Sequence, residues 1–101
     1  MERRALEKML AQGNDSALLR YTLGSLCLKE EQPEMAVRHL AEAVKQDPNH
    51  SASWKIYAKA LAALSREDEA RQAYQRGIEV AEARGDVQAA KEMRVFLKRL
   101  G

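Results

Sequence analysis

Two stretches of this chain, 34 residues apart, repeat the sizes of their side chains more than their identities. Leu23 aligns with Tyr57, Gly24 with Ala58, Cys27 with Leu61, Ala36 with Ala70, Leu40 with Tyr74 and Ala43 with Gly77. Large residues recur where two helices interdigitate, and small ones recur where their axes approach. A repeat of this kind confines the chain to stacked helical units that share one continuous core. Gly24 sharpens the inference, because glycine inside a helix costs about 1 kcal/mol relative to alanine and needs a compensating reason. The reason expected here is a second helix passing close to the backbone at that point.

Between the turn signals the periodicity is helical throughout, so the fold class is all-α. A first helix over about residues 2–12 ends at "GND", and Asp15 or Ser16 caps a second that runs to about Lys29. Pro33 suits the first turn of a third helix, where its missing N–H has no partner to lose, and "QDPNH" ends it. Asn49 is placed to cap a fourth helix from about Ser51. Ser65, with Asp68 three residues later, reads as a capping box for a fifth helix that runs to about Arg84 and stops at Gly85. Asp86 caps a last helix whose Val87, Ala90, Met93, Phe96, Leu97 and Leu100 form a broad apolar stripe. Glu34 with Arg38, and Glu67 with Arg71, have the spacing of ion pairs on exposed helix faces.

At 101 residues, 46% of them hydrophobic, the chain suffices for one small domain with a modest core. Its 17 basic and 15 acidic residues leave a net charge of +2, without the one-signed field of a nucleic-acid or membrane-surface protein. Cys27 is the single cysteine, so no intramolecular disulfide forms and a reducing cytoplasm is the expected compartment. "MERRALEKMLAQGND" lacks the apolar core of a signal peptide, and no window approaches the roughly 18 apolar residues of a membrane span.

Chemistry-bearing residues are sparse. His39 and His50 lie on different segments, and neither forms a local ligand cluster with Cys27 or a carboxylate pair. His39 and Glu42 have the spacing of a surface hydrogen bond on one helix, and Cys27 falls at a core position as an inert thiol. There is no glycine-rich phosphate loop and no nucleophile motif. The expectation is a protein that is not an enzyme and needs no cofactor or metal.

Residues 17–50 carry "LGSLC", Ala36, Leu40, Ala43 and Pro48, and residues 51–84 carry Trp54, Tyr57 with Ala58, Ala70 and Tyr74. At these positions the chain resembles the tetratricopeptide repeat family, matching its Leu-Gly, Ala, large-apolar, Ala and Pro sites in the first unit and its Trp, Leu-Gly, Ala and aromatic sites in the second. It departs from the pattern at Arg20, where the family often has Trp, at Gly77 in place of Ala, and at Glu82 in place of the closing Pro. The resemblance implies a right-handed superhelix of antiparallel helical hairpins in a single domain, 1–101. Its parts are an N-terminal helix and turn (1–16), two repeats (17–50 and 51–84) and a capping helix (85–101). Gly24 with Ala36, and Ala58 with Ala70, are then the small residues of close helix approach, and Trp54, Tyr57 and Tyr74 belong to the core.

The resemblance also implies that the first helix of each hairpin lines a concave groove holding an extended peptide or a partner's helix. By helical phase that groove presents Leu18, Tyr21, Ser25, Leu28 and Lys29 from the first unit and Ala52, Lys55, Lys59 and Ala62 from the second. Lys55 and Lys59 share a face, which suits a carboxylate-bearing ligand and equally describes a solvated helix surface. Tyr21 and Ser25 stand where some relatives carry the Lys and Asn of a carboxylate clamp, so that clamp is not expected. Lys91, Arg94 and Lys98 read as the solvated face of a cap. The expected partner is another protein or peptide, one with an acidic group, and not nucleic acid or membrane. The alternative is a structural role, in which Leu6, Met9 and Leu10 of the first helix, or Phe96, Leu97 and Leu100 of the last, join two copies as a homodimer.

Overall fold

The computed structural model describes residues 3–100. Six helices follow one another: α1 (Arg3–Ala11), α2 (Ala17–Lys29), α3 (Pro33–Gln46), α4 (Ser51–Ala63), α5 (Glu67–Ala83) and α6 (Val87–Arg99). The expected start of the first helix at residue 2 lies outside the described residues.

Two of the expected caps form. The Leu19 amide donates to Ser16 Oγ at 3.1 Å to open α2, and the Ala89 amide donates to Asp86 Oδ1 at 3.1 Å to open α6. Pro33 occupies the first turn of α3. Two expected caps do not form. His50, not Asn49, precedes α4, because the Asn49 amide turns back to Asp47 Oδ1 and its carbonyl accepts from Arg84 Nη1 at 2.6 Å. The Ser65–Asp68 capping box is absent because Ser65 closes α4 instead of opening α5. Its φ of 60° is left-handed, and the Arg66 amide reaches back to the Leu61 carbonyl at 3.0 Å. Three other helices end in the same way, with Gly13, Glu31 and Gly85 at the left-handed position and return bonds to Met9, Cys27 and Ala81. The start of α5 rests on electrostatics: Glu67, Asp68 and Glu69 crowd its positive end, and Arg66 clasps Glu69 through two bonds of 3.0 and 2.6 Å.

Short connections make α2 with α3, and α4 with α5, antiparallel hairpins. The residues matched across the repeat are buried as a set, apart from half-buried Tyr57: Leu23, Gly24, Cys27, Ala36, Leu40, Ala43, Ala58, Leu61, Ala70, Tyr74 and Gly77. A β-carbon on Gly24 would lie 2.9 Å from both terminal methyls of Leu40, so the close approach expected at Gly24 is filled by that leucine. Gly77 is no idle departure from Ala. A β-carbon there would meet Met93 Sδ at 2.5 Å and Trp54 Cβ at 2.9 Å, so its bareness seats α6 and α4 together.

The helices form two layers of unequal closeness. α2, α4 and α6 approach one another side by side, whereas α1, α3 and α5 pack mainly on the helices of the other layer, with Arg3 Nη1 of α1 reaching Met35 Sδ of α3 at 3.5 Å. The array therefore curves, with the even-numbered helices on the inside. Along the outside, the gap between α3 and α5 exposes part of α4, so Trp54 and Tyr57 are half-buried at the floor of an open cleft and not enclosed in the core. Val87 is also misplaced by the stripe reading, being 70% exposed at the first turn of α6, while Ala90 and Met93 are buried and Phe96, Leu97 and Leu100 pack against the core. The surface ion pairs differ too: Glu34 and Arg38 do not meet, and Arg71 pairs with Asp68 at 2.9 Å instead of Glu67.

Arg20, at a position where the repeat pattern often carries Trp, ties the turn before α2 to α3. Its guanidinium donates to Asp15 at 2.9 and 3.0 Å and lies 3.4 Å from His39 Nδ1, and Gln46 Nε2 adds a third bond to Asp15 at 3.1 Å. The bonds from Arg20 and then Gln46 pull the Asp15 carboxyl down from 3.8 to about 2. A carboxylate with a depressed folded pKa contributes stability that is full above its unfolded value and is lost as pH falls through its folded one. Wild-type melting points should thus drop between about pH 4 and pH 2, and those of Asp15→Asn should be flatter across that window. Gly24→Ala should lower the urea midpoint. The clash with Leu40, costing about 1–3 kcal/mol, opposes a helix-propensity gain of about 1 kcal/mol, and an increased midpoint would show that Leu40 moves aside.

Candidate functional site

The inner face of the curve is built from α2, α4 and α6, and the expected groove residues meet different fates on it. Tyr21 is half-buried with its ring edge-on to His50, the centroids 4.9 Å apart at 88°. His50 is held in turn by a 2.6 Å hydrogen bond between its Nδ1 and the Ser53 hydroxyl. Ser25 presents nothing, because its hydroxyl is enclosed without a hydrogen-bond partner. Leu28 and Ala62 pack back against the core, and Lys29 is exposed in the last turn of α2, where its charge complements the negative helix end. Leu18 stands away from the groove, 70% exposed beside Met9, which is itself 41% exposed.

From α4, both lysines lean towards α6. Lys55 Nζ lies 3.8 Å from the Glu92 carboxylate, and Lys59 Nζ lies 4.6 Å from the centre of the Phe96 ring. Arg99 approaches the same ring, its guanidinium carbon 5.7 Å from the centre. Between the first halves of α4 and α6 the small side chains of Ala52 and Ala89 leave a recess of about 230 Å³, with Met93, Lys55, Glu92 and Gln88 among its lining residues.

Glu92, Phe96 and Arg99 were not among the expected groove residues, since residues 85–101 read as a cap or, through Phe96, Leu97 and Leu100, as a dimer face. The caps that begin the inner helices are Ser16, His50 and Asp86, so the step to α6 is two residues longer than the step before it. The available signal was local: Glu92, Phe96 and Arg99 recur at four and three residues, on one side of a helix.

Three other concavities lie among the described residues, one of them a recess of about 420 Å³ between Glu34, Val37 and Arg38 of α3 and Leu64 and Arg66. The outer cleft, of about 390 Å³, has Trp54 and Tyr57 as its floor, their rings 6.2 Å apart and tilted at 51°, between Val44 of α3 and Glu69, Ala73 and Arg76 of α5. At the opposite end, Leu6, Met9, Leu18, Leu19 and Thr22 surround an apolar recess of about 320 Å³. Titratable chemistry is dispersed. Burial and the neighbouring Arg20 push the His39 imidazole down, and His39 meets that arginine instead of Glu42. Burial pushes the Cys27 thiol up. Among the described residues no three His, Cys, Asp or Glu side chains are grouped to hold a metal ion, and no helix is long and apolar enough to cross a membrane.

Comparison with known proteins agrees with this architecture. The family model for subunit 3 of the anaphase-promoting complex, cyclosome, matches residues 4–77. The TPR repeat-containing protein PA0015 of Pseudomonas aeruginosa is 50% identical over 95 residues, which cover 94% of this chain and 90% of that protein. The solution structure of protein BPP2914 from Bordetella parapertussis superposes with a TM-score of 0.84 at 44% identity, covering 99% of this chain and 87% of the other. The crystal structure of a tetratricopeptide repeat domain protein from Salinibacter ruber superposes with a TM-score of 0.78 at 27% identity, over 85% of this chain and 96% of that one. The shared hairpins, their close-packed small residues and the extent of these likenesses lead to one conclusion: the chain belongs to the tetratricopeptide repeat family.

Proposed function

We propose that this protein holds an extended segment or a helix of another protein in the concave face formed by α2, α4 and α6. Members of the family generally act as non-catalytic protein-interaction modules. The observation that carries the reading for this chain is the recess between α4 and α6. Ala52 and Ala89 keep its walls low, while the longer side chains of Tyr21, Lys55 and Lys59 border the same face. Such a surface offers aromatic and aliphatic area for a side chain and charged groups to fix its direction. A preference for acidic partners belongs to the same proposal, with Lys59 as its support, since Lys55 already has Glu92 as a partner. A cytoplasmic setting suits a chain whose only cysteine is a buried free thiol.

Selection of random dodecapeptides on the immobilised protein, followed by anisotropy titration of the synthesised winners, tests the groove. Ala52→Trp, which fills the recess, and Tyr21→Ala should each weaken binding about tenfold or more, equivalent to about 1.4 kcal/mol. Leu18→Glu should leave it unchanged. The opposite pattern, in variants shown folded by circular dichroism, moves the binding surface to the α1–α2 end.

Self-association is the second reading, favoured by Leu18 and Met9 standing exposed beside the apolar recess between α1 and α2. The last helix gives it less support, because Phe96, Leu97 and Leu100 already pack against the core. In sedimentation velocity, a dimer that Leu18→Glu converts to monomer supports this reading, and a monomer at high concentration removes it.

A further inference from the structure

We infer that the outer cleft is a binding surface in its own right, and that its occupant is a proline-rich segment of a partner protein in the polyproline II conformation. The inference goes beyond the groove reading, because the cleft and the inner recess share no lining residue.

The cleft has a prepared floor. Trp54 and Tyr57 stand on successive turns of α4 where α3 and α5 leave it uncovered, both half-buried, with their rings tilted at 51°. The indole is held in place by its N–H bond to the Pro48 carbonyl at 2.8 Å. Trp54, Tyr57, Leu61 and Leu64 recur at three, four and three residues, along one side of α4. Leu64 lines the recess that continues the cleft between α3 and the turn into α5. From Trp54 to Leu64 the helix rises about 15 Å, at about 1.5 Å per residue. A polyproline II segment, at about 3.1 Å per residue, spans that floor with about five residues.

Charge and hydrogen bonding specify the occupant. The charged side chains that line the cleft are both engaged: the two Glu69 oxygens accept from Arg66 at 3.0 and 2.6 Å, and Arg76 meets Glu79 at 3.5 Å. A neutral segment therefore suits it. Among the described residues the Tyr57 hydroxyl and the Gln72 amide, both at the cleft, have no hydrogen-bond partner, and the single enclosed and unpartnered side-chain polar atom is Ser25 Oγ. The Tyr57 oxygen is thus open to a ligand. Burial, with Glu69 nearby, pushes the Tyr57 phenol up, so it stays a donor. A helix brings carbonyls already bonded within itself, and a strand brings N–H groups for which the Glu69 oxygens are taken. Proline brings carbonyl acceptors without N–H donors, together with apolar rings to lie on Trp54 and Tyr57 in a conformation that costs little to order.

The test displays dodecapeptides with two prolines fixed three residues apart, beside a matched library with alanine at both positions. The proline library should yield binders and the alanine library none of comparable affinity. For one synthesised binder followed by anisotropy, Tyr57→Phe and Gln72→Glu should each weaken binding about fivefold, the loss of one hydrogen bond. Trp54→Phe should weaken it further, while Ala52→Trp on the inner face should change it less than about twofold. If circular dichroism shows Trp54→Phe unfolded, the two milder variants decide. Proline peptides that are lost on Ala52→Trp and indifferent to Tyr57→Phe and Gln72→Glu overturn this inference and leave the groove reading standing. Alanine peptides that bind equally well and depend on Tyr57 and Gln72 overturn the choice of proline. A proline library without binders overturns the inference, and the groove reading is then still judged by the random library and Ala52→Trp.

Discussion

Leu40 occupies the space in which residue 24 would carry a side chain, and the geometry of the first hairpin follows from that contact. A leucine pressed against bare backbone draws α2 and α3 together and gains dispersion contacts that offset the helix penalty of glycine. The second hairpin solves the same problem with a larger pair, Ala58 in α4 and Tyr74 in α5 at the matching positions, both buried. Gly77 then repeats the device one step further along, admitting Met93 from α6 and Trp54 from α4. The small residues thus set the spacing within and between units, and the large ones fill what they leave.

The unequal closeness of the two layers turns this packing into a functional shape. Because the inner helices touch while α3 and α5 stand apart, the inner face is continuous across three helices and the outer face is interrupted by a cleft. Side chains on the inner face can reach across from one helix to the next. Lys55 and Lys59 do so, and both use α6 as their counterpart. The last helix therefore extends the inner face as well as covering the end of the core.

Much of this was legible in the residue order. Helix number, the caps at Ser16 and Asp86, Pro33 at the start of α3 and the buried small and large pairs all follow from local chemistry or from the repeat, and local chemistry is written in sequence. What escaped depends on relations between elements. Ser65 has the composition of a cap, yet which helix it serves is decided by backbone conformation, and its left-handed φ assigns it to the exit from α4. Trp54 and Tyr57 occupy positions of core type, but their burial depends on how far apart α3 and α5 stand. The side chains that α6 sets on the inner face lie beyond the two matched units, in a segment read as a cap, and Ser25, on the right helical face, is enclosed by its neighbours. Lys55 was visible as a charge, whereas its neutralising partner lies on another helix.

The position of Trp54 has an optical consequence. It is the only tryptophan of the chain, its indole N–H donates to the Pro48 carbonyl at 2.8 Å, and its half-buried ring lies in the cleft between the outer helices of successive units. Any change in the angle between the two hairpins widens or narrows that cleft and alters how much water the indole meets. The emission wavelength of the protein is consequently a built-in gauge of superhelical curvature, readable on the unlabelled chain in solution.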